Sequence, residues 1–168
     1  MLICVMRHGD AEAFSTDGKD ASRLLTDRGH ADNLQLAQQL KARVTSFDLV
    51  CVSPYRRAQQ TADDVLSLYP GCARQTVPWL VPEFSAQESM DALDSTVAAV
   101  SGQGDSMLLI GHNPLVSRLL MLLNDGAVDS GGNGVVPRYL ATSELIAVVT
   151  QVIAPACGQE KFSLTASL

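Results

Sequence analysis

Apolar residues open the chain in one unbroken run, Met1 to Met6 (MLICVM), which reads as a buried strand. The next stretch, RHGDAEAFSTDGKD, is polar and reads as a loop. A helix is predicted from about Asp27, with Thr26 placed to cap it. Leu34, Ala37, Leu40 and Val44 recur along it at helical spacing. FDLVCVS (47–53) is a second buried strand closed by Ser53-Pro54, and a helix over 56–69 is stopped by Pro70-Gly71. RQTVPWL (74–80) predicts a third strand, whose Pro78 marks its end or a sheet edge. Residues 87–100 form an amphipathic helix with Leu93, Val97 and Val100 on one stripe. DSMLLIGH (105–112) is the clearest buried strand, and Pro114 opens a helix carried by 115–123. A loop over 124–137 follows, whose glycine-rich part, 130–134, is expected to be mobile. The tail predicts a hairpin, SELIAVVTQVI and KFSLTAS, turning near 155–158.

Strands that alternate with helices imply an α/β fold: three layers, α/β/α, around a mostly parallel sheet. The terminal hairpin adds an antiparallel edge. A chain of 168 residues suits one domain, taken as 1–168. With 46% apolar and 18% charged residues its composition is that of a globular protein. The longest apolar run is far short of the roughly 20 residues a membrane span needs, and no signal-peptide pattern is seen. The net charge of −6 argues against nucleic acid as a partner but allows a local cationic pocket for one phosphate. Cys4, Cys51, Cys72 and Cys157 show no CxxC spacing. Cys4 and Cys51 lie in apolar runs and read as buried small hydrophobes, which fits a reducing cytoplasm.

In such folds ligands sit beyond the carboxyl ends of strands. Three polar clusters fall there: Arg7-His8-Gly9, Ser53-Pro54 with Arg56 and Arg57, and Gly111-His112-Asn113. A lone histidine is more often structural. Here, however, His8 is preceded by a permanent fork donor and followed by a glycine that lets backbone approach a ligand. Two histidines and two arginines at one sheet edge make a site for a dianion, most simply a phosphoryl group. A neutral imidazole can take that group and pass it to water while guanidiniums stabilise the oxygens. No cofactor is required. The three histidines have no HxH or HExxH spacing, so no metal is expected. P-loop, dinucleotide-binding and GxSxG patterns are absent.

Met6-Arg7-His8-Gly9 after an N-terminal strand resembles the signature of the histidine phosphatase superfamily, the phosphoglycerate-mutase-like proteins. Three further segments resemble that family's motifs in order and spacing: Leu25-Thr26-x-x-Gly29, Ser53-Pro54-x-x-Arg57-Ala58-x-x-Thr61 and Gly111-His112-Asn113-Pro114. The resemblance spans residues 6 to 114. It implies that His8 is the phosphorylated nucleophile and that Arg7, Arg57 and His112 hold the phosphoryl oxygens, with Gly9 and Asn113 as further substrate contacts. Arg56 falls outside the motif and reads as solvated or as a rim contact. Asp10 and Glu12 read as rim charges or loop hydrogen bonds, and His30 as a surface histidine. The segments before Gln87 and after Asn113 leave no room for a large lid. The chain therefore resembles the short bacterial protein-phosphohistidine phosphatases of the SixA type, which implies a phosphohistidine-bearing protein, a phosphotransfer domain or phosphocarrier, as partner and phosphate as product; a monomer is the expectation adopted with it, since no sequence feature reads out the oligomeric state.

Leaving-group chemistry bears on the substrate. An alkoxide needs a proton donor, whereas imidazole, with a conjugate-acid pKa near 6.5, leaves with little help. Larger relatives supply a glutamate after the third strand, and Glu83 lies near that place without the flanking pattern. Two alternatives therefore stay open: a small-molecule phosphomonoesterase with Glu83 as general acid, and a non-catalytic phospho-binding module.

Overall fold

A computed structural model describes residues 1–100, 106–127 and 138–166. Its elements run β1 (Leu2–Arg7), α1 (Asp27–Lys41), β2 (Leu49–Val52), α2 (Arg56–Leu66), β3 (Arg74–Thr76), α3 (Ala86–Ala99), β4 (Ser106–Gly111), α4 (Leu115–Asp125), β5 (Glu144–Thr150) and β6 (Gly158–Thr165). Single 3-10 turns lie at Asp20–Ser22 and Pro78–Leu80.

Alternation along the strands builds two cores, one on each face of the sheet. Ile3, Val5, Cys51, Met107, Leu109 and Val148 point to one side, where Met90 and Leu93 of α3 and Val116 and Leu119 of α4 meet them. Cys4, Met6, Val50, Val52, Leu108 and Ile110 point to the other, against Leu36 and Leu40 of α1 and Ala58, Ala62 and Val65 of α2. The expected three layers are thus present. The sheet has six strands in the order β3-β2-β4-β1-β5-β6. β3, β2, β4 and β1 are parallel neighbours, while β5 runs antiparallel to both β1 and β6. The terminal hairpin is antiparallel as expected, with β6 at the edge and β5 inside the sheet.

Most local expectations hold, and the differences have physical reasons. Thr26 caps α1 by accepting from Gly29 N–H at 3.0 Å. The α1 stripe is rotated from the predicted one: Leu34 is exposed, and Asn33, Leu36, Ala37 and Leu40 are buried. A buried asparagine sets that rotation, and an apolar count passes over it. α2 ends at Leu66 rather than at 69, and Tyr69 still packs in the core. The third strand is cut to Arg74–Thr76 on the sheet edge, because Pro78 begins a 3-10 turn. The 130–134 segment lies outside the described residues. Among the described residues no helix is long and apolar enough to cross a membrane. Cys4 and Cys51 are fully buried, and all four cysteines are free.

Because β2, β4 and β1 are neighbours, their carboxyl ends come side by side. Arg7-His8-Gly9, Ser53-Pro54 and Gly111-His112 follow those ends directly.

Candidate active site

The loop after β1 is clamped by the start of α1. Thr26 N–H donates to Asp10 O at 3.0 Å, and Thr26 Oγ1 donates to the Asp10 carboxylate at 2.7 Å. Gly29 lies against the same backbone: a Cβ there would come within 2.1 Å of Asp10 O. Gly9 is also pressed, though less tightly, since a Cβ would meet the Asn33 amide at 2.8 Å. Gly9 N–H donates to Thr61 Oγ1 at 3.0 Å, and Thr61 Oγ1 donates to Arg57 O at 2.7 Å. Glycine at 9 and 29 and threonine at 26 and 61 thus have one common purpose, which is to fix the residues around His8. Asp10 is a loop hydrogen-bond partner, as its sequence context suggested.

His8 is buried, and its Nδ1 lies 2.7 Å from Gly9 O. A carbonyl only accepts, so the proton is on Nδ1 and the lone pair is on Nε2. Arg57 Nε donates to that Nε2 at 3.1 Å. Burial, together with Arg57, Arg7 and Arg23, pulls the His8 pKa down to about 3 against the opposing effect of the Gly9 carbonyl. The ring is therefore neutral at physiological pH, as a nucleophile must be.

His112 packs against His8 with ring centroids 4.9 Å apart. Its Nε2 is 2.8 Å from Ser53 Oγ. That hydroxyl accepts from Tyr55 N–H at 3.3 Å and has no other acceptor for its own proton among the described residues. Ser53 therefore donates to Nε2, which leaves the His112 proton on Nδ1. Burial, His8, Arg57 and Arg7 lower the His112 pKa to about 2, with Asp20 opposing. His112 Nδ1 and Arg7 Nε are buried without a hydrogen-bond partner among the described residues. Two unpaired buried donors in one cationic cluster are suited to anionic oxygens.

Arg7 reaches Leu140 O through Nη1 at 2.9 Å. Burial, then Arg57, lowers its pKa, and Asp10 partly offsets them. Arg57 is buried, with its Cζ 5.1 Å from the centre of the Tyr55 ring. Its Nη1 donates to Asp20 O at 2.6 Å and its Nη2 to the Asp20 carboxylate at 2.8 Å. The structure thus brings His8, Arg7, Arg57 and His112 into one cluster.

The other candidates stand around it. Gly9 uses both its N–H and its carbonyl inside the site, on Thr61 and His8. Asn113 donates to Leu140 O at 2.8 Å and accepts from Ser117 Oγ at 2.7 Å, so it fixes the segment that Arg7 grips. Glu83 is exposed and accepts from Tyr55 Oη at 2.7 Å. Tyr55 in turn packs on His112 with centroids 4.9 Å apart, so Glu83 connects to the cluster through that ring. Burial and then Glu83 raise the Tyr55 pKa to about 12. Arg56 is exposed and borders a groove with Glu12, Ser15 and Asp17. His30 is not a bare surface histidine: its Nδ1 is 2.9 Å from the Asp64 carboxylate, which also accepts from Asn33. Sequence reasoning missed Asp20, Tyr55 and Asn33. Nothing in the polar loop or the helix pattern marks them. Ser53 sat inside a quoted motif, yet only the fold shows it reaching His112. Among the described residues no three His, Cys, Asp or Glu side chains gather as a metal-ligand set.

Comparison with known proteins gives a consistent picture. Residues 3–73 match the family model of the histidine phosphatase superfamily, branch 1. Phosphohistidine phosphatase SixA of Escherichia coli K12 is 32% identical over 130 residues, covering 75% of this chain and 76% of that protein. A SixA homolog of Haemophilus influenzae is 30% identical over 129 residues, covering 71% and 75%. The solved structure of the protein histidine phosphatase SixA complexed with tungstate superposes with a TM-score of 0.82 at 26% identity, covering 99% of this chain and 97% of that one.

Proposed function

The chain belongs to the histidine phosphatase superfamily, on its SixA-type branch, and from that premise we propose that it removes phosphate from phosphohistidine on a signalling or phosphocarrier protein. The carrying observation is His8 itself: a neutral ring whose proton is fixed on Nδ1 by Gly9 O, with Nε2 turned to the Arg57 guanidinium.

In this reading the Arg57 N–H that caps His8 Nε2 passes to a phosphoryl oxygen as substrate binds. The freed lone pair attacks phosphorus, the P–N bond of the substrate breaks, and the leaving imidazole takes up a proton from solvent. Phosphorylation of Nε2 puts positive charge on the His8 ring, and Gly9 O, accepting from Nδ1–H, stabilises that charge. A water then attacks phosphorus, the Nε2–P bond breaks, and inorganic phosphate departs with His8 neutral again. Arg7 and His112 offer their unpaired N–H groups to the equatorial oxygens, where charge spreads in the transition state. An imidazole leaving group needs no strong acid, and the nucleophile's neighbours supply none.

The reading extends to the whole chain: one catalytic domain over 1–168 without a large lid, acting as a monomer in the cytoplasm. Four free cysteines fit a reducing compartment. The SixA structure is complexed with tungstate, a tetrahedral oxyanion, which supports a phosphoryl site on this fold.

The test is a side-by-side turnover assay without added metal, with a small folded protein carrying phosphohistidine in one arm and a panel of phosphate monoesters in the other. Fast release from phosphohistidine alone is expected, and His8→Ala should abolish it. Arg57→Ala should lower the rate by about 10²–10³, as for loss of an oxyanion donor. The Tyr55–Glu83 contact supports a second reading, a phosphomonoesterase in which Glu83 protonates the leaving alkoxide. Fast ester turnover that collapses in Glu83→Gln would replace the first reading by this one.

A further inference from the structure

Each of the three guanidinium nitrogens of Arg57 has a protein acceptor. Nε is on His8 Nε2 at 3.1 Å, Nη1 on Asp20 O at 2.6 Å and Nη2 on Asp20 Oδ2 at 2.8 Å. The other carboxylate oxygen of Asp20, Oδ1, takes Arg23 Nη1 at 2.9 Å. One carboxylate thus bridges two guanidiniums beside the nucleophile, as the oxygens of a phosphoryl group would. Its position is built in. The segment before it folds around Asp17, whose carboxylate accepts from Ser15 Oγ at 2.9 Å, Lys19 N–H at 3.1 Å and Ser22 Oγ at 2.9 Å. Arg23 is anchored from its other side, with Nε on Glu12 O at 2.5 Å. Burial disfavours the Asp20 anion, but the bonds from Arg23 and Arg57 outweigh this and hold its pKa below the ordinary carboxylate value. The anion therefore persists through the working pH range.

We propose that Asp20 is an internal anion that occupies the Arg57 donors in the resting site and that an incoming phosphoryl group must displace. This rests on the phosphoryl-site reading above and deepens it. Free phosphate brings only its own charge against that competitor, so it binds weakly and leaves readily. A phosphorylated protein brings further contacts that offset the competition. The displacement cost is common to substrate and product, so Asp20 weakens the hold on both and eases release of free phosphate, while the added contacts of the phosphorylated protein keep it bound.

Removing the charge while keeping an acceptor, in Asp20→Asn, is expected to tighten binding of tungstate and phosphate by about 2- to 5-fold, the scale of one half-exposed ion pair. The inhibition constant of phosphate should fall by the same factor, with a smaller change in kcat. Asp20→Ala should act in the same direction. A residue that merely props Arg57 would give weaker binding in both variants, and that result, or an unchanged affinity, overturns the proposal. A second measurement needs no variant: titrating tungstate into the wild-type protein should shift the Asp20 carboxyl-carbon and Arg57 Nε–H resonances together. An Asp20 signal that stays in place while tungstate binds also overturns it. If the wild-type protein binds neither anion, the phosphoryl-site reading falls and Asp20 with it. Wild-type binding without the Asp20 response removes Asp20 alone.

Discussion

Two imidazoles face one another 4.9 Å apart, and different partners fix their protons: a backbone carbonyl for His8, a serine hydroxyl for His112. Both rings are held neutral far below the ordinary histidine pKa of about 6.5, chiefly by burial and also by the adjacent guanidiniums. The ring carbon and proton resonances of His8 and His112 should therefore show no protonation shift from pH 8 down to about 5 in the free protein. A midpoint near 6.5 for either ring would show that the ring is solvated in solution. Ser53 is the test of the His112 tautomer. Ser53→Ala removes the donor to Nε2, frees the ring to carry its proton there, and should cost about 10-fold in kcat/KM, the scale of one buried hydrogen bond. Ser53→Asn, which keeps a donor, should recover part of that loss, whereas a purely steric role would make it the worse variant.

Between strand and helix, the design is a clamp. The loop after β1 is fixed because the first turn of α1 presents Thr26 and Gly29 to the Asp10 backbone and α2 presents Thr61 to Gly9. Gly29→Ala would put a methyl group 2.1 Å from Asp10 O, and backbone cannot yield there as a flexible side chain would. It should lower stability by about 1–3 kcal/mol, the usual cost of overpacking, and activity should fall as His8 moves with the loop. Denaturant unfolding beside a turnover assay checks both. Full activity in a destabilised Gly29→Ala protein would separate the clamp from the nucleophile. The buried strands, the Thr26 cap and the motif glycines were legible in the sequence because each is a local device. The register of α1 was not. Asn33 is buried by partners distant in sequence, Ser143 at 2.8 Å and Asp64 at 2.9 Å, and no periodicity in the helix itself signals that. Asp20 was hidden for the same reason, since one acidic residue in a polar loop looks like any other until Arg57 is placed against it.

The whole molecule carries the thermodynamic cost of burying two imidazoles beside guanidiniums. His8 and His112 have folded pKa values of about 3 and 2, while in the unfolded chain both titrate near 6.5. Between those values the unfolded state binds more protons, so stability rises with pH from about 3 to 6.5 and is flat in this contribution above that. Denaturation midpoints should fall as the pH drops below 6.5, and replacing both histidines by asparagine should flatten the slope. An equally steep acid loss in that double variant would assign it to other groups. An anion that binds only the folded state should raise the melting temperature, with about 2.7 kcal/mol of stabilisation at a concentration of 100 Kd. Tungstate should do so for the wild-type protein and much less for Arg57→Ala. A covalent phosphohistidine at His8 can be trapped. The protein is mixed with phosphohistidine-bearing substrate, quenched in alkali to preserve P–N bonds, and digested for peptide mass spectrometry. One phosphoryl group is expected on the peptide containing His8, acid-labile and absent in His8→Ala. Steady turnover with no label on that peptide, or turnover surviving in His8→Ala, would contradict it.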